Sequence, residues 1–318
     1  TLRWNHLFND RLFSNFTWVY SNYDYGFSFG EDDLDTFDWS SNIKTYDFKP
    51  DFTYFLNANN ELFFGAEFLL YEFEPANAIG VSNGVATDIS LDQKKSLETA
   101  FYIGNNQKLT EQLIAQYGLR YAGFNYLGSG SSYEYATTAP GERKTVINNT
   151  TYANWESIAD YHALEPRASL RYQLTSYSSL KASYQRMNQF IHLISNTIAA
   201  TPIDVWQPST NNIKPQRGDQ VAMGYFQNFA SNLFETSLEV YYKWNKNQVD
   251  YIDGADILLN EFLEGDLMSG AGRAYGLELY IRKTKGRFNG WISYTLGKSE
   301  LLVDGINYGN DLQNRKGQ

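Results

Sequence analysis

Apolar and polar residues alternate with a period of two along most of the chain, and the helical period is nearly absent. Leu113, Ala115, Tyr117, Leu119 and Tyr121 share one face of an extended segment whose other face is Gln116, Gly118, Arg120 and Ala122. The same alternation sets Ala168, Leu170, Tyr172 and Leu174 against Arg167, Ser169, Arg171 and Gln173. It recurs in Leu238, Val240, Tyr242 and Trp244, and again in Tyr275, Leu277, Leu279 and Ile281. The pattern predicts about twelve strands: 1–8, 12–29, 43–57, 61–75, 95–107, 111–128, 164–174, 179–194, 218–229, 233–252, 273–284 and 288–300.

The connections between these strands alternate in length. Short turns fall near 9–11, 58–60, 108–110, 175–178, 230–232 and 285–287, and long loops near 30–42, 76–94, 129–163, 195–217 and 253–272. Short turns at one end and long loops at the other are the connectivity of an outer-membrane barrel. Several strands also exceed the roughly 9–11 residues that a tilted strand needs to cross hydrocarbon. The predicted fold is therefore all-β, an antiparallel up-and-down transmembrane β-barrel. On that reading Leu113, Tyr117, Leu119, Leu170, Tyr172, Leu180, Leu238, Val240, Leu277 and Leu279 face lipid. Arg120, Arg167, Arg171, Lys181, Glu239 and Glu278 face a wet lumen, where charge is tolerated.

Composition narrows the class. The 318 residues contain no Cys, which removes disulfide scaffolds, thiolate metal sites and cysteine nucleophiles. A net charge of −10 argues against a general nucleic-acid binder. The 25 Tyr, 21 Phe and 7 Trp gather at strand ends, as interfacial girdles do.

Three segments resemble the barrel of TonB-dependent outer-membrane receptors. They are the hairpin Leu164–Tyr172 (LEPRASLRY) with Ser179–Tyr184 (SLKASY), then Asn212–Gln216 (NIKPQ) with Gln220–Tyr225 (QVAMGY), then Gly272–Leu279 (GRAYGLEL) with Trp291–Leu296 (WISYTL). Asn188–Ser195 and Trp4–Asn15 resemble Bacteroidetes members of that family. The resemblance implies a bacterial outer-membrane location and a 22-stranded barrel closed by an N-terminal plug. It implies coupling to the TonB–ExbB–ExbD system through an N-terminal part, and lumen charges that hold the plug. Residues 1–318 are then expected to be a middle-to-late piece of the barrel, without the plug and the last strands.

Candidate chemistry adds little to this. No nucleophile elbow, HExxH or Walker A motif is present, and the three His, at positions 6, 162 and 192, have no ligand spacing. The expectation is a receptor that imports a scarce nutrient, with no enzyme activity, cofactor or metal. Its contacts with an unknown small ligand or a surface lipoprotein are expected on the long loops, at Tyr133, Tyr135, Tyr152, Trp155 and Trp206. One alternative is a barrel of the same family serving as a structural subunit of a larger outer-membrane assembly. Another is a secreted all-β glycan-binding protein.

Overall fold

β-Branched and aromatic residues at period two leave the chain no good helix, so it extends and pairs with itself. The computed structural model describes residues 1–32, 35–82, 85–194, 205–256, 259–303 and 313–314. Its strands are β1 (Leu2–Asn9), β2 (Leu12–Asp32), β3 (Asp35–Asn57), β4 (Asn60–Ser82), β5 (Val85–Ser90), β6 (Lys94–Lys108), β7 (Leu113–Leu127), β8 (Gly130–Tyr135) and β9 (Val146–Tyr152). They continue with β10 (Ser157–Thr175), β11 (Ser178–Gln189), β12 (Ile191–Ile194), β13 (Val205–Pro208), β14 (Gln216–Phe229), β15 (Phe234–Tyr251), β16 (Leu267–Lys283), β17 (Gly290–Val303) and β18 (Gln313–Asn314). Among the described residues the helical content is a single 3₁₀ turn at Leu263–Asp266.

One sheet runs β1-β2-β3-β4-β6-β7-β10-β11-β14-β15-β16-β17-β18, and every pairing in it is antiparallel between neighbours. All twelve predicted strands are present. In two regions expected as loops, 30–42 and 76–94, most of the described residues are strand instead: β2 and β3 stay paired as far as Asp32 and Asp35, and β4 folds back on β5. Acidic residues in 31–38 break the alternation there, although Trp39, Ala76 and Ala78 pack into a buried cluster with Phe27 and Phe37. Two small ribbons, β8–β9 and β12–β13, lie within the other long connections.

The two faces of the sheet differ sharply. Outward rows such as Trp4, Phe16, Phe52 and Phe64, or Trp18, Phe48, Phe68 and Phe101, are aromatic and stack across strands. Leu170, Val221, Leu238, Val240 and Leu279 are exposed on the same face. Going from the turn end towards the loop end, this face is, among the described residues, free of Asp, Glu, Lys and Arg, apart from Lys283 beside a turn. The first charged residues appear at Asp24, Lys44, Glu72, Lys95, Asp160, Arg186, Asp219, Lys246, Arg273 and Lys298. An uncharged belt with a common upper limit is what hydrocarbon imposes, since a mid-membrane Arg or Lys costs about 2–4 kcal/mol.

The opposite face is polar and packed by its own side chains. Gly276 has no Cβ because the Tyr241 ring lies over it, and a Cβ would meet the phenol oxygen at 2.8 Å. Gly224 is covered in the same way by Phe226 and Glu239. The crowding at these two lumen glycines thus comes from the barrel's own side chains. Among the described residues the buried apolar clusters lie at the loop end, where Phe124 stacks on Phe190 with ring centroids 5.0 Å apart and Ile194, Val205, Ile213, Leu263 and Leu267 cluster.

Candidate functional site

The lumen face carries a charge cluster centred on Arg120 of β7. Arg120 donates to Glu67 of β4 at 2.9 Å, Glu165 of β10 at 3.2 Å and Glu98 of β6 at 3.4 Å. Lys49 stands 3.9 Å from Glu67, and Arg167 stands 3.7 Å from Glu165. Glu165 is only 1% exposed and accepts two further hydrogen bonds, from the backbone and side-chain amides of Asn188 at 2.7 and 3.1 Å. A cavity of about 560 Å³ lies against this cluster, lined in part by Lys49, Glu67, Tyr102, Arg120, Arg167 and Gln185.

Nearer the turns, register puts like charges opposite each other. Arg171 faces Lys181 across β10–β11, and Glu239 faces Glu278 across β15–β16. Such pairs are unfavourable on their own. Lys181 lies over the Phe226 ring at 4.3 Å, and Glu239 accepts from Ser237 at 3.2 Å. The lumen face thus carries a positive pair on β10–β11 and a negative pair on β15–β16. All six lumen residues expected from the alternation fall on this one face.

At the loop end four connections tie together into a cap. Arg143 grips Asp266 through two parallel hydrogen bonds of 2.7 and 2.9 Å, the strong bidentate form. Lys94 donates to Gln207 at 2.7 Å, and Gln207 donates to Glu264 at 3.2 Å. Asn212 joins Glu264 to the carbonyl of Tyr133. Burial lowers the Lys94 pKa against the opposing pull of Glu264.

The loop aromatics divide between the inside and the outside of this cap. Tyr133 donates to Glu261 and meets Phe262 edge-on, and burial followed by that bond pushes its phenol up to about 12. Tyr135 lies against Gly265 with its hydroxyl buried. Trp206 sits in β13 beside buried Val205 and Gln207. Trp155 is 52% exposed at a left-handed backbone position (φ 66°), with Lys95 over its ring at 5.3 Å, and Tyr152 is half-buried at the end of β9. Sequence reasoning missed Glu67, Glu98 and Glu165 as partners of Arg120, and Asp266 and Glu264 as the anchors of the cap. Their only local signal is a carboxylate at a lumen position of a strand or among the polar residues of a loop.

His192 of β12 is 1% exposed, with Nε2 2.9 Å from the Ser209 hydroxyl. Burial lowers its pKa from 6.5 to about 4. The unfolded segment takes up a proton near 6.5 and the folded one resists until about 4. The ribbon is thus fully stable above about pH 6.5 and loses up to about 3 kcal/mol as the pH falls towards 4. Amide exchange at 191–194 and 205–208 should accelerate over that interval, and His192→Gln should flatten the response. Equal acceleration in both proteins would exclude this histidine as the cause.

A family model described as TonB dependent receptor-like, beta-barrel matches residues 1–316. No curated protein matches the sequence. Among solved structures the chain is similar to the siderophore receptor PiuA from Acinetobacter baumannii (13% identity, TM-score 0.65, covering 98% of this chain and 48% of that one). It is similar also to the ferric yersiniabactin uptake receptor FyuA from Yersinia pestis (12% identity, TM-score 0.61, 94% and 42%). A third is the FrpB iron transporter from Neisseria meningitidis (12% identity, TM-score 0.58, 94% and 42%). At these identities the likeness is one of fold, and the chain spans somewhat less than half the length of these three structures.

Proposed function

The chain belongs to the TonB-dependent receptor β-barrel family, and on that footing we propose that the whole protein imports a scarce nutrient by energy-coupled transport. The family is one of outer-membrane transport receptors. The observation that carries the reading is the pairing of an uncharged lipid face with a lumen wall whose charges are incompletely neutralised. Arg171 opposite Lys181, and Glu239 opposite Glu278, call for counter-charges from something inside the barrel.

That occupant is a plug domain supplied from outside residues 1–318, and these residues form part of a larger barrel around it. TonB with ExbB and ExbD would pull on the plug, and a surface lipoprotein would hand over or trap the ligand on the loop side. The capture surface comprises Tyr152, Trp155 and Trp206, with Tyr133 and Tyr135 holding the cap beneath them. No bond in the cargo is broken in this scheme. The cargo moves because the plug moves.

Uptake by cells with and without the gene, each with and without functional TonB, tests the proposal. Import is expected only where both are present. A barrel recruited as a structural subunit would leave import unchanged on deletion. Removing 129–163 from the full-length protein should abolish capture while the barrel still assembles. Trp155→Ala should weaken capture by roughly 30-fold, the loss expected for a central aromatic contact of about 2 kcal/mol. Unchanged uptake after the loop deletion would remove these loops from the recognition surface.

A further inference from the structure

At the upper limit of the uncharged belt, the outward face of β11–β17 carries two triads of the same design. In the first, Asp219 is 1% exposed and accepts from Arg186 Nε at 2.7 Å and Arg217 Nε at 2.9 Å. Tyr184 also donates to it, at 2.7 Å. In the second, Glu300 is 4% exposed and is held between Arg273 Nε and Lys298. Register joins the triads in one row, because Arg186 lies opposite Asp219, Asp219 opposite Trp244, Trp244 opposite Arg273, and Arg273 opposite Glu300. Lys246, exposed, faces Arg217 one row nearer the loops.

The sum is five cations against two carboxylates, on a chain whose net charge is −10. The carboxylates lie buried and the cations lie over them, half-exposed. The three Arg reach their carboxylates through Nε, and although Arg186 and Arg273 also bond to Tyr184 and Tyr242, each guanidinium keeps further N–H groups for another anion. Just beneath, Tyr242 and Tyr275 stack with centroids 5.9 Å apart, and Tyr242 touches Trp244. Tyrosine and tryptophan at this height mark the headgroup level.

We propose that this strip is a docking site for the phosphate groups of lipid headgroups in the outer leaflet. The site faces sideways along the membrane rather than up towards the loops, so its natural occupant is a lipid. It lies at the edge of the hydrocarbon belt, where a phosphate reaches the guanidinium amino groups while its acyl chains lie on Val221, Val240 and Leu277. The buried carboxylates fix the Arg side chains in place, so little ordering remains when a phosphate arrives.

The experiment uses the full-length protein in phosphatidylcholine nanodiscs doped with diphosphorylated lipid A or its dephosphorylated form, with retained lipid counted by native mass spectrometry. Lys246→Gln/Lys298→Gln leaves each carboxylate an arginine partner and should still fold. It is expected to weaken retention of the phosphorylated lipid by roughly 30-fold, from about one kcal/mol per cation near a charged surface. Lys246→Arg/Lys298→Arg should retain the lipid, and the lumen variant Lys181→Gln should retain it as wild type does. Equal retention by wild type and the Lys246→Gln/Lys298→Gln protein would overturn the proposal. So would equal binding of the dephosphorylated lipid, or full displacement by millimolar inorganic phosphate. Loss of a lipoprotein partner with lipid retention unchanged would reassign the strip to protein contact and equally overturn it.

Discussion

Val240→Arg is expected to cost about 2–4 kcal/mol of barrel stability, which lowers the folded-to-unfolded ratio by roughly 30- to 1000-fold. Val240 lies on the outward face between Met223 of β14 and Leu277 of β16, within the uncharged belt. An arginine there has no carboxylate within its row and no water to solvate it. The neighbouring change Glu239→Arg should cost little, because residue 239 points into the lumen directly opposite Glu278 and the new cation relieves a like-charge pair. Urea unfolding in bilayers and heat-modifiable gel mobility read both. The contrast between adjacent residues is the test, since a period-two wall reverses every side chain with a shift of one. Equal losses at 239 and 240 would disprove the assignment of faces.

Arg120→Met should be the most damaging change inside the lumen. It strips the shared cation from Glu67, Glu98 and Glu165, of which Glu165 is almost fully buried. Removing one partner of a buried pair costs about 3 kcal/mol or more, because the remaining charge is left uncompensated. Lys49 and Arg167 approach two of these carboxylates but only at 3.9 and 3.7 Å, too far to replace the lost hydrogen bonds. The double variant Arg120→Met/Glu165→Gln should recover part of the loss. A coupling energy above about 1 kcal/mol in the double-mutant cycle would place the two in one network. Simple additivity would mean that water in the lumen screens the cluster, and that the buried pair contributes little.

The legibility of the chain follows from the range of each interaction. Alternation is local: Leu113 to Tyr121 names an outward face without reference to any other strand, because neighbouring side chains on a strand must point to opposite sides. Short turns such as 175–178 were legible for the same reason. There, hairpin register follows once Thr175 and Ser178 meet, and Arg171 is bound to face Lys181. The hairpin near 30–42 is harder to read, since acidic residues interrupt its alternation and the partners that bury Trp39, Ala76 and Ala78 lie far along the chain.

The motifs around Pro166, Pro215 and Gly276 carried the family, and the family model covers the same chain. They said nothing of which carboxylates meet Arg120. Its partners come from positions 67, 98 and 165, on strands brought side by side only when the sheet has formed.

By itself, then, the sequence determined the twelve long strands, the sidedness of those with clean alternation, the short-turn end and the barrel class, all of which rest on contacts between residues close along the chain. Tertiary structure alone decided the Arg120 cluster, the cap that Asp266 anchors from 123 residues away and Glu264 from 57 and 52, and the cationic strip from Arg186 to Lys298. Each depends on how far one strand slides against the next before pairing. That offset is set by the joint fit of a whole sheet to one hydrocarbon belt, and no local stretch of residues encodes it.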